Sequence, residues 1–172
     1  SVHIGSQILD HKPYEKMLKT FDKIINKVNH KFEFIDLGGG MGISYEYNDK
    51  KLNYKKYNIA IKKFLKNNKS KIIFEPGRSI IGDTGTLVSK VIYIKKSGRK
   101  NFVIINTAMN DLMRPALYGA SHKMLPSVKK NTNLKKTYEV VGQICESTDK
   151  FTTLKNFQEL KENDFIVICD VG

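Results

Sequence analysis

Apolar and polar positions along the first eighty residues alternate between two periods. Short apolar runs at Val2-His3-Ile4, over residues 32–37 and over residues 71–74 have the length and composition of strands. Between them, residues 13–28 place Met17, Leu18, Phe21, Ile24, Ile25 and Val28 at helical spacing, with a proline near the start. Residues 54–65 set Tyr54, Tyr57, Ile61, Phe64 and Leu65 on one side of a second helix. The pattern predicts β-α-β-α-β with a repeat of roughly 35 residues, as parallel strands joined by crossover helices require.

From about Ser79 the pattern changes to strand-length segments separated by turns. Residues 87–94, 102–105, 138–144 and 165–169 read as strands, with a turn at Ser97-Gly98, and no long amphipathic helix interrupts them. This predicts an α/β part over residues 1–79 followed by a mostly antiparallel β domain over residues 80–172. Three βα units do not close an eight-stranded barrel, and a three-stranded parallel sheet leaves its edges open. The chain is therefore expected to be cut at both ends from a larger protein, with the β domain incomplete at its C-terminus.

Composition adds two constraints. With 40% hydrophobic residues over 172 positions the chain can bury a core. The formal net charge of +13 would ordinarily suggest nucleic acid or an anionic membrane, but it comes from 27 Lys and only 3 Arg. Those lysines are spread over helix faces (Lys12, Lys16, Lys19, Lys23, Lys27) and turns (Lys50-Lys51, Lys95-Lys96), the distribution of a solvated surface. No nucleic-acid partner and no membrane partner is expected. Where lysine supplies plain positive charge, each arginine is a candidate for the bidentate binding that lysine cannot perform. Cys145 and Cys169 are isolated, no His/Cys cluster has zinc-ligand spacing, and these residues hold no signal-peptide pattern and no apolar run of transmembrane length, with Ser1 not taken as the protein's true start. These features suit a reducing cytoplasm, and no metal site is expected.

Each putative parallel strand ends in a polar or glycine-rich motif: His3-Ile4-Gly5-Ser6-Gln7, Gly38-Gly39-Gly40-Met41-Gly42 and Glu75-Pro76-Gly77-Arg78. Ligands of α/β folds bind at that end of the strands, so the three together mark a candidate site. The glycine run can aim backbone N–H groups at an anion, although it matches neither the dinucleotide spacing nor a P-loop and is equally compatible with a tight turn. Taken singly, His3 reads as an ordinary structural histidine and Glu75 as a solvated carboxylate. Placed at a strand end, Glu75 could keep a ring nitrogen protonated, and Arg78 could clamp a carboxylate or phosphate. Further along, Arg114 and Tyr118 stand four apart in Arg114-Pro115-Ala116-Leu117-Tyr118, and Cys145-Glu146-Ser147 follows a strand. Spacing alone leaves these as a turn with a surface arginine and a buried cysteine.

In their order and spacing, these five motifs resemble the diaminopimelate decarboxylase family, pyridoxal-phosphate enzymes of the alanine racemase-like, fold type III group. The resemblance covers essentially the whole chain. It implies that residues 1–79 are the C-terminal βα units of a cofactor-binding (β/α)8 barrel, that residues 80–172 form an antiparallel, Greek-key-like β domain, and that two subunits share two active sites. The implied cofactor is pyridoxal 5'-phosphate. His3 would stack on its ring, Ser6 would lie near its phosphate, and Gly38, Gly39 and Gly40 would offer backbone hydrogen bonds to that phosphate. Glu75 would pair with the pyridine nitrogen, with Pro76, Gly77 and Arg78 completing the cofactor contact and Arg78 also reaching substrate.

Arg114 and Tyr118 would bind the substrate carboxylate. Cys145, as the catalytic proton donor, and Glu146, holding the distal ammonium, would come from the neighbouring subunit of a homodimer. The implied reaction is decarboxylation of meso-2,6-diaminopimelate to L-lysine and CO2, the last step of lysine biosynthesis, in the cytoplasm. Diaminopimelate carries an ammonium and a carboxylate at its far end, and a carboxylate beside a guanidinium suits that pair. Alternatives are a decarboxylase of the same fold acting on ornithine, arginine or carboxynorspermidine, and a non-catalytic cofactor-binding relative.

The family's Schiff-base lysine would lie upstream of His3 and its tyrosine just beyond Gly172, so these residues alone are expected to be inactive. Asn106-Thr107-Ala108 stands where family members usually carry an acidic residue and a glycine.

Overall fold

The computed structural model describes residues 1–28, 30–45 and 50–172. Contacts divide them into two units, one formed by residues 1–44 and 50–83, the other by residues 84–172 with Tyr45.

In the first unit, helix α1 (Lys12–Val28) begins where the Asp10 carboxylate accepts the Lys12 N–H at 3.1 Å. That bond is the main reason the Asp10 carboxyl is held below its ordinary range. Strand β1 (Phe34–Asp36) follows, and then helix α2 (Tyr54–Asn67) starts at Asn53, whose side chain accepts the Lys56 N–H at 3.0 Å. The helix ends at Asn68, whose side-chain amide donates to Asp22 of α1 at 2.6 Å. Strand β2 (Lys71–Ile73) pairs in parallel with β1, Ile35 opposite Ile72. Part of each apolar face predicted from spacing meets over this pair: Met17, Leu18 and Ile25, with Tyr14, pack with Ile35, Leu37, Met41, Tyr57 and Phe64, whereas Ile24, Val28 and Tyr54 of the predicted faces are exposed.

The expected strand at Val2-His3-Ile4 is not regular. Val2 donates to the Asp36 carbonyl at 3.0 Å, but the chain then turns through Gly5 and Gln7, both at positive φ, and rejoins the sheet only as a parallel bridge between Ile8 and Met41. A short helix, α3 (Arg78–Ile81), follows β2 and ends the unit.

The second unit is built on a six-stranded sheet. In chain order its strands are β3 (Thr86–Ser97), β4 (Lys100–Ile105), β5 (Met124–Pro126), β6 (Lys135–Val141), β7 (Lys150–Gln158) and β8 (Phe165–Cys169), and they lie in the order β5-β8-β3-β4-β6-β7. Neighbours run antiparallel except β4 and β6, which are parallel. The last strand returns beside the first, the long-range closure of a Greek-key-like path. Val91, Val103, Ile105, Tyr138, Val140, Phe151, Ile166 and Ile168 form its core.

Helix α4 (Arg114–Tyr118) occupies a segment read from sequence as a turn; Pro115 lies in its first turn, and Gly119, in the left-handed region, stops it. Asn106 has a structural task. Its side-chain oxygen accepts from the Lys90 N–H at 2.7 Å and the Ser89 hydroxyl at 3.0 Å, tying the end of β4 to β3.

Candidate active site

Two separate motifs of the first unit converge on the glycine run because that run has no side chains. A Cβ on Gly38 would stand 2.6 Å from the Val2 carbonyl oxygen and 2.9 Å from His3 Nδ1. One on Gly39 would collide with the Glu75 carbonyl, and one on Gly40 with the Gly5 carbonyl. The glycines thus admit the His3-to-Gln7 turn on one side and Glu75-Pro76 on the other, and the Glu75 N–H donates to the Gly38 carbonyl at 2.9 Å.

The amides of the run are unequally employed. Gly38 N–H donates to Asp36 Oδ1 at 2.8 Å, and Gly39 N–H donates to His3 Nδ1 at 3.3 Å. The second bond makes Nδ1 of His3 an acceptor and orients an imidazole that is otherwise exposed. Tyr14, fully buried, donates its hydroxyl to the Gly39 carbonyl at 3.2 Å; burial pushes its ionisation well above the usual tyrosine range, so it stays a donor.

Ser6, Glu75, Pro76 and Gly77 are exposed, and a Cβ at Gly5 or Gly77 would meet nothing within 4 Å. An acid, a hydroxyl, an imidazole and open glycine backbone therefore edge one region of the unit. Arg78 joins it through a residue to which sequence reasoning assigned no role: its Nη1 donates to Gln7 Oε1 at 2.9 Å, while Gln7 Nε2 donates to the Ile43 carbonyl at 2.5 Å.

The remaining expected residues belong to the second unit. Arg114 opens α4 and lays its guanidinium over the Tyr45 ring, with Cζ 4.5 Å from the centroid. Its Nη1 lies 3.1 Å from Nε2 of the buried His122. Tyr118 closes the same helix but is 73% exposed, and among the described residues no hydrogen bond joins it to Arg114.

Cys145 and Glu146 occupy an exposed loop between β6 and β7, so Cys145 is not the buried cysteine that spacing alone suggests. The loop is organised by Asp149, itself 3% exposed. One Asp149 carboxylate oxygen accepts the Met109 N–H and the other the Ile144 N–H, each at 2.8 Å. The Glu146 carboxylate accepts from the Thr148 N–H at 3.2 Å and the Ser147 hydroxyl at 3.0 Å, and these bonds hold it below the ordinary glutamate range. Among the described residues no cluster of His, Cys, Asp or Glu could hold a metal ion, and no helix is long and apolar enough to cross a membrane.

Gln7, His122 and Asp149 escaped sequence reasoning because each acts through long-range contacts that no periodicity marks. Gln7 alone carried a signal, since it lies within the first strand-end motif.

A βα unit edged by glycine, acid and imidazole is followed by a β domain that carries arginine and cysteine. The family description "pyridoxal-dependent decarboxylase, C-terminal sheet domain" matches residues 9–172, and the chain belongs to that family. It is 37% identical to the diaminopimelate decarboxylase of Aquifex aeolicus and 40% identical to that of Zymomonas mobilis, each over 99% of this chain. A crystal structure of the Helicobacter pylori diaminopimelate decarboxylase complexed with L-lysine superposes with a TM-score of 0.88 at 38% identity, covering 99% of this chain and 42% of that one. The chain spans about two fifths of the length of these relatives, 41% of the first two.

Proposed function

We propose that this chain forms the C-terminal part of a diaminopimelate decarboxylase, a cytoplasmic homodimer that converts meso-2,6-diaminopimelate to L-lysine and CO2. The single observation that carries the choice of substrate is the placement of Arg114. In a chain with 3 Arg among 30 basic residues, this one is braced by an aromatic face and a buried imidazole. Such bracing fits a guanidinium that binds a carboxylate in one orientation. The identity to diaminopimelate decarboxylases along 99% of the chain supports the same reading.

The residues present fit pyridoxal phosphate: exposed Glu75 for a ring nitrogen, the oriented imidazole of His3 for a ring face, and Ser6 with the open backbone of Gly5 and Gly77 for a phosphate. When bound, that cofactor supplies the ring that accepts the electron pair left by the departing carboxylate. Glu75 would keep a proton at the ring nitrogen, which would make the ring a stronger acceptor. Of Gly38, Gly39 and Gly40, the first two have their amides engaged inside the chain, so Gly40 would be the one to offer its amide to the phosphate. Pro76, Gly77 and Arg78 would line the cofactor, with Arg78 reaching substrate as well.

Arg114 and Tyr118 bind the substrate carboxylate, Glu146 of the neighbouring subunit binds the distal ammonium, and Cys145 Sγ of that subunit delivers the proton to the α-carbon. The full-length protein carrying this chain is expected to release CO2 and lysine from meso-diaminopimelate. Release from ornithine, arginine or carboxynorspermidine in preference to meso-diaminopimelate would overturn the assignment. The 172 residues alone are expected to release none.

A further inference from the structure

His122 lies in the loop between α4 and β5 and is 5% exposed, yet both of its ring nitrogens have partners. Nε2 faces Arg114 Nη1 at 3.1 Å, and Nδ1 faces the Cys169 carbonyl oxygen, at the end of β8, at 3.0 Å. Chemistry fixes the proton. A guanidinium can only donate and a carbonyl can only accept, so Nε2 is the acceptor and Nδ1 carries the hydrogen. With both nitrogens occupied and the ring buried, His122 has no lone pair or proton to offer a substrate.

The neighbouring groups complete a cage. The Tyr45 ring meets the imidazole edge-on, with centroids 5.1 Å apart and planes at 68°, and the same Tyr45 ring lies under the guanidinium. Arg114 is therefore fixed on one face by Tyr45 and at Nη1 by His122, and both anchors touch each other. A long side chain that would otherwise sample many rotamers is restricted to one orientation before any ligand arrives.

Resting on the reading of Arg114 as a substrate-carboxylate binder, we propose that His122 is a positioning residue. As the neutral Nδ1–H tautomer, held by the Cys169 carbonyl, it fixes the rotation of the Arg114 guanidinium so that the rest of its donor fork faces the substrate carboxylate.

Two substitutions separate the two ring contacts. His122→Asn can keep a donor near the Cys169 carbonyl but is too short to accept from Arg114, whereas His122→Gln places an amide oxygen within reach of the Nε2 position. In the full-length holoenzyme with meso-diaminopimelate, His122→Asn is expected to raise KM about tenfold with kcat changed less than about twofold. His122→Gln should recover most of that loss, and in an Arg114→Ala background His122→Asn should add nothing to KM.

A KM unchanged by His122→Asn while Arg114→Ala raises it would overturn the positioning role and leave the reading of Arg114 intact. Equal losses from His122→Asn in the presence and absence of the Arg114 guanidinium would reduce the histidine to a packing residue and also overturn it. A KM indifferent to Arg114→Ala would instead remove the underlying reading, and the positioning role with it. If His122→Asn lowers the melting temperature, comparing the KM of His122→Asn with that of His122→Gln at a temperature where both are folded decides the matter, and equal KM values overturn the positioning role.

Discussion

Gly39 lies so close to the carbonyl of Glu75 that a single methyl group on the glycine would overlap that oxygen. The glycine is not at positive φ, so its role is steric: it lets the strand end carrying the candidate ring-binding acid close on the glycine run.

Gly39→Ala is therefore expected to push Glu75-Pro76 outward. Stability should fall by roughly 1–3 kcal/mol, as overpacking does, and the full-length protein should retain its cofactor less well. Gly77 belongs to the neighbouring motif, yet a Cβ there would meet nothing within 4 Å. Gly77→Ala should change stability by no more than about 0.5 kcal/mol. Denaturant midpoints of the two variants check the contrast, and equal losses would remove the steric argument.

The helices and the parallel pair of the first unit were legible because most of their apolar positions keep one period, although Ile24, Val28 and Tyr54 of the predicted faces stay exposed. Strand β7 was not, and its residues explain why. Phe151, Leu154 and Phe157, which all turn toward the core, are three apart rather than two. Register shifts against β6 and the positive φ of Asn156 insert the extra residues, so alternation is lost in the sequence while the inner face is kept in space. The site divides in the same way. Strand-end motifs such as Glu75-Pro76-Gly77-Arg78 are local in sequence and could be read. The anchors Gln7, His122 and Asp149 reach 71, 8 and 40 positions along the chain to Arg78, Arg114 and Met109, and only the fold brings those pairs together.

Asp149 ties the Cys145-Glu146 loop to the segment around Met109 with both carboxylate oxygens. Asp149→Asn keeps one acceptor and turns an NH2 group toward the other backbone N–H, leaving a buried donor unsatisfied. A loss of about 1–3 kcal/mol is expected. Hydrogen exchange supplies the specific check: the Met109 or Ile144 amide should exchange faster, while the Gly142 amide, bonded to the Asp149 main-chain carbonyl at 3.0 Å, should respond less. Uniform acceleration across the loop would point to general unfolding instead.

Gln7 holds a left-handed backbone position (φ 62°) that an L side chain rarely adopts, while its amide bridges Arg78 and Ile43. Gln7→Ala keeps the unfavourable backbone and deletes the bridge, so it should cost about 1–2 kcal/mol. Gln7→Gly deletes the same bridge but relaxes the backbone, and should be the less damaging of the two. Thermal melts of both variants test the ordering; a more stable Gln7→Ala would show that backbone relief at this position contributes little.

His122 gives stability a pH dependence whose sign follows from its surroundings. Burial lowers its proton affinity below the ordinary value of 6.5, and the Arg114 charge adds to this, while the Cys169 carbonyl and Asp170 oppose it. Well above pH 6.5 the ring is neutral in both folded and unfolded chains and contributes no slope. As pH falls through 6.5 the unfolded chain takes up the proton first, so stability declines until the lower folded value is reached, by at most about 1.4 kcal/mol per pH unit. The carboxyl groups of Glu139, Glu146 and Glu159, all held below 4.5, add their losses only at lower pH. Urea unfolding followed between about pH 5 and 8 should show the decline, and His122→Gln should flatten it. A slope that persists unchanged in His122→Gln would assign it to another group.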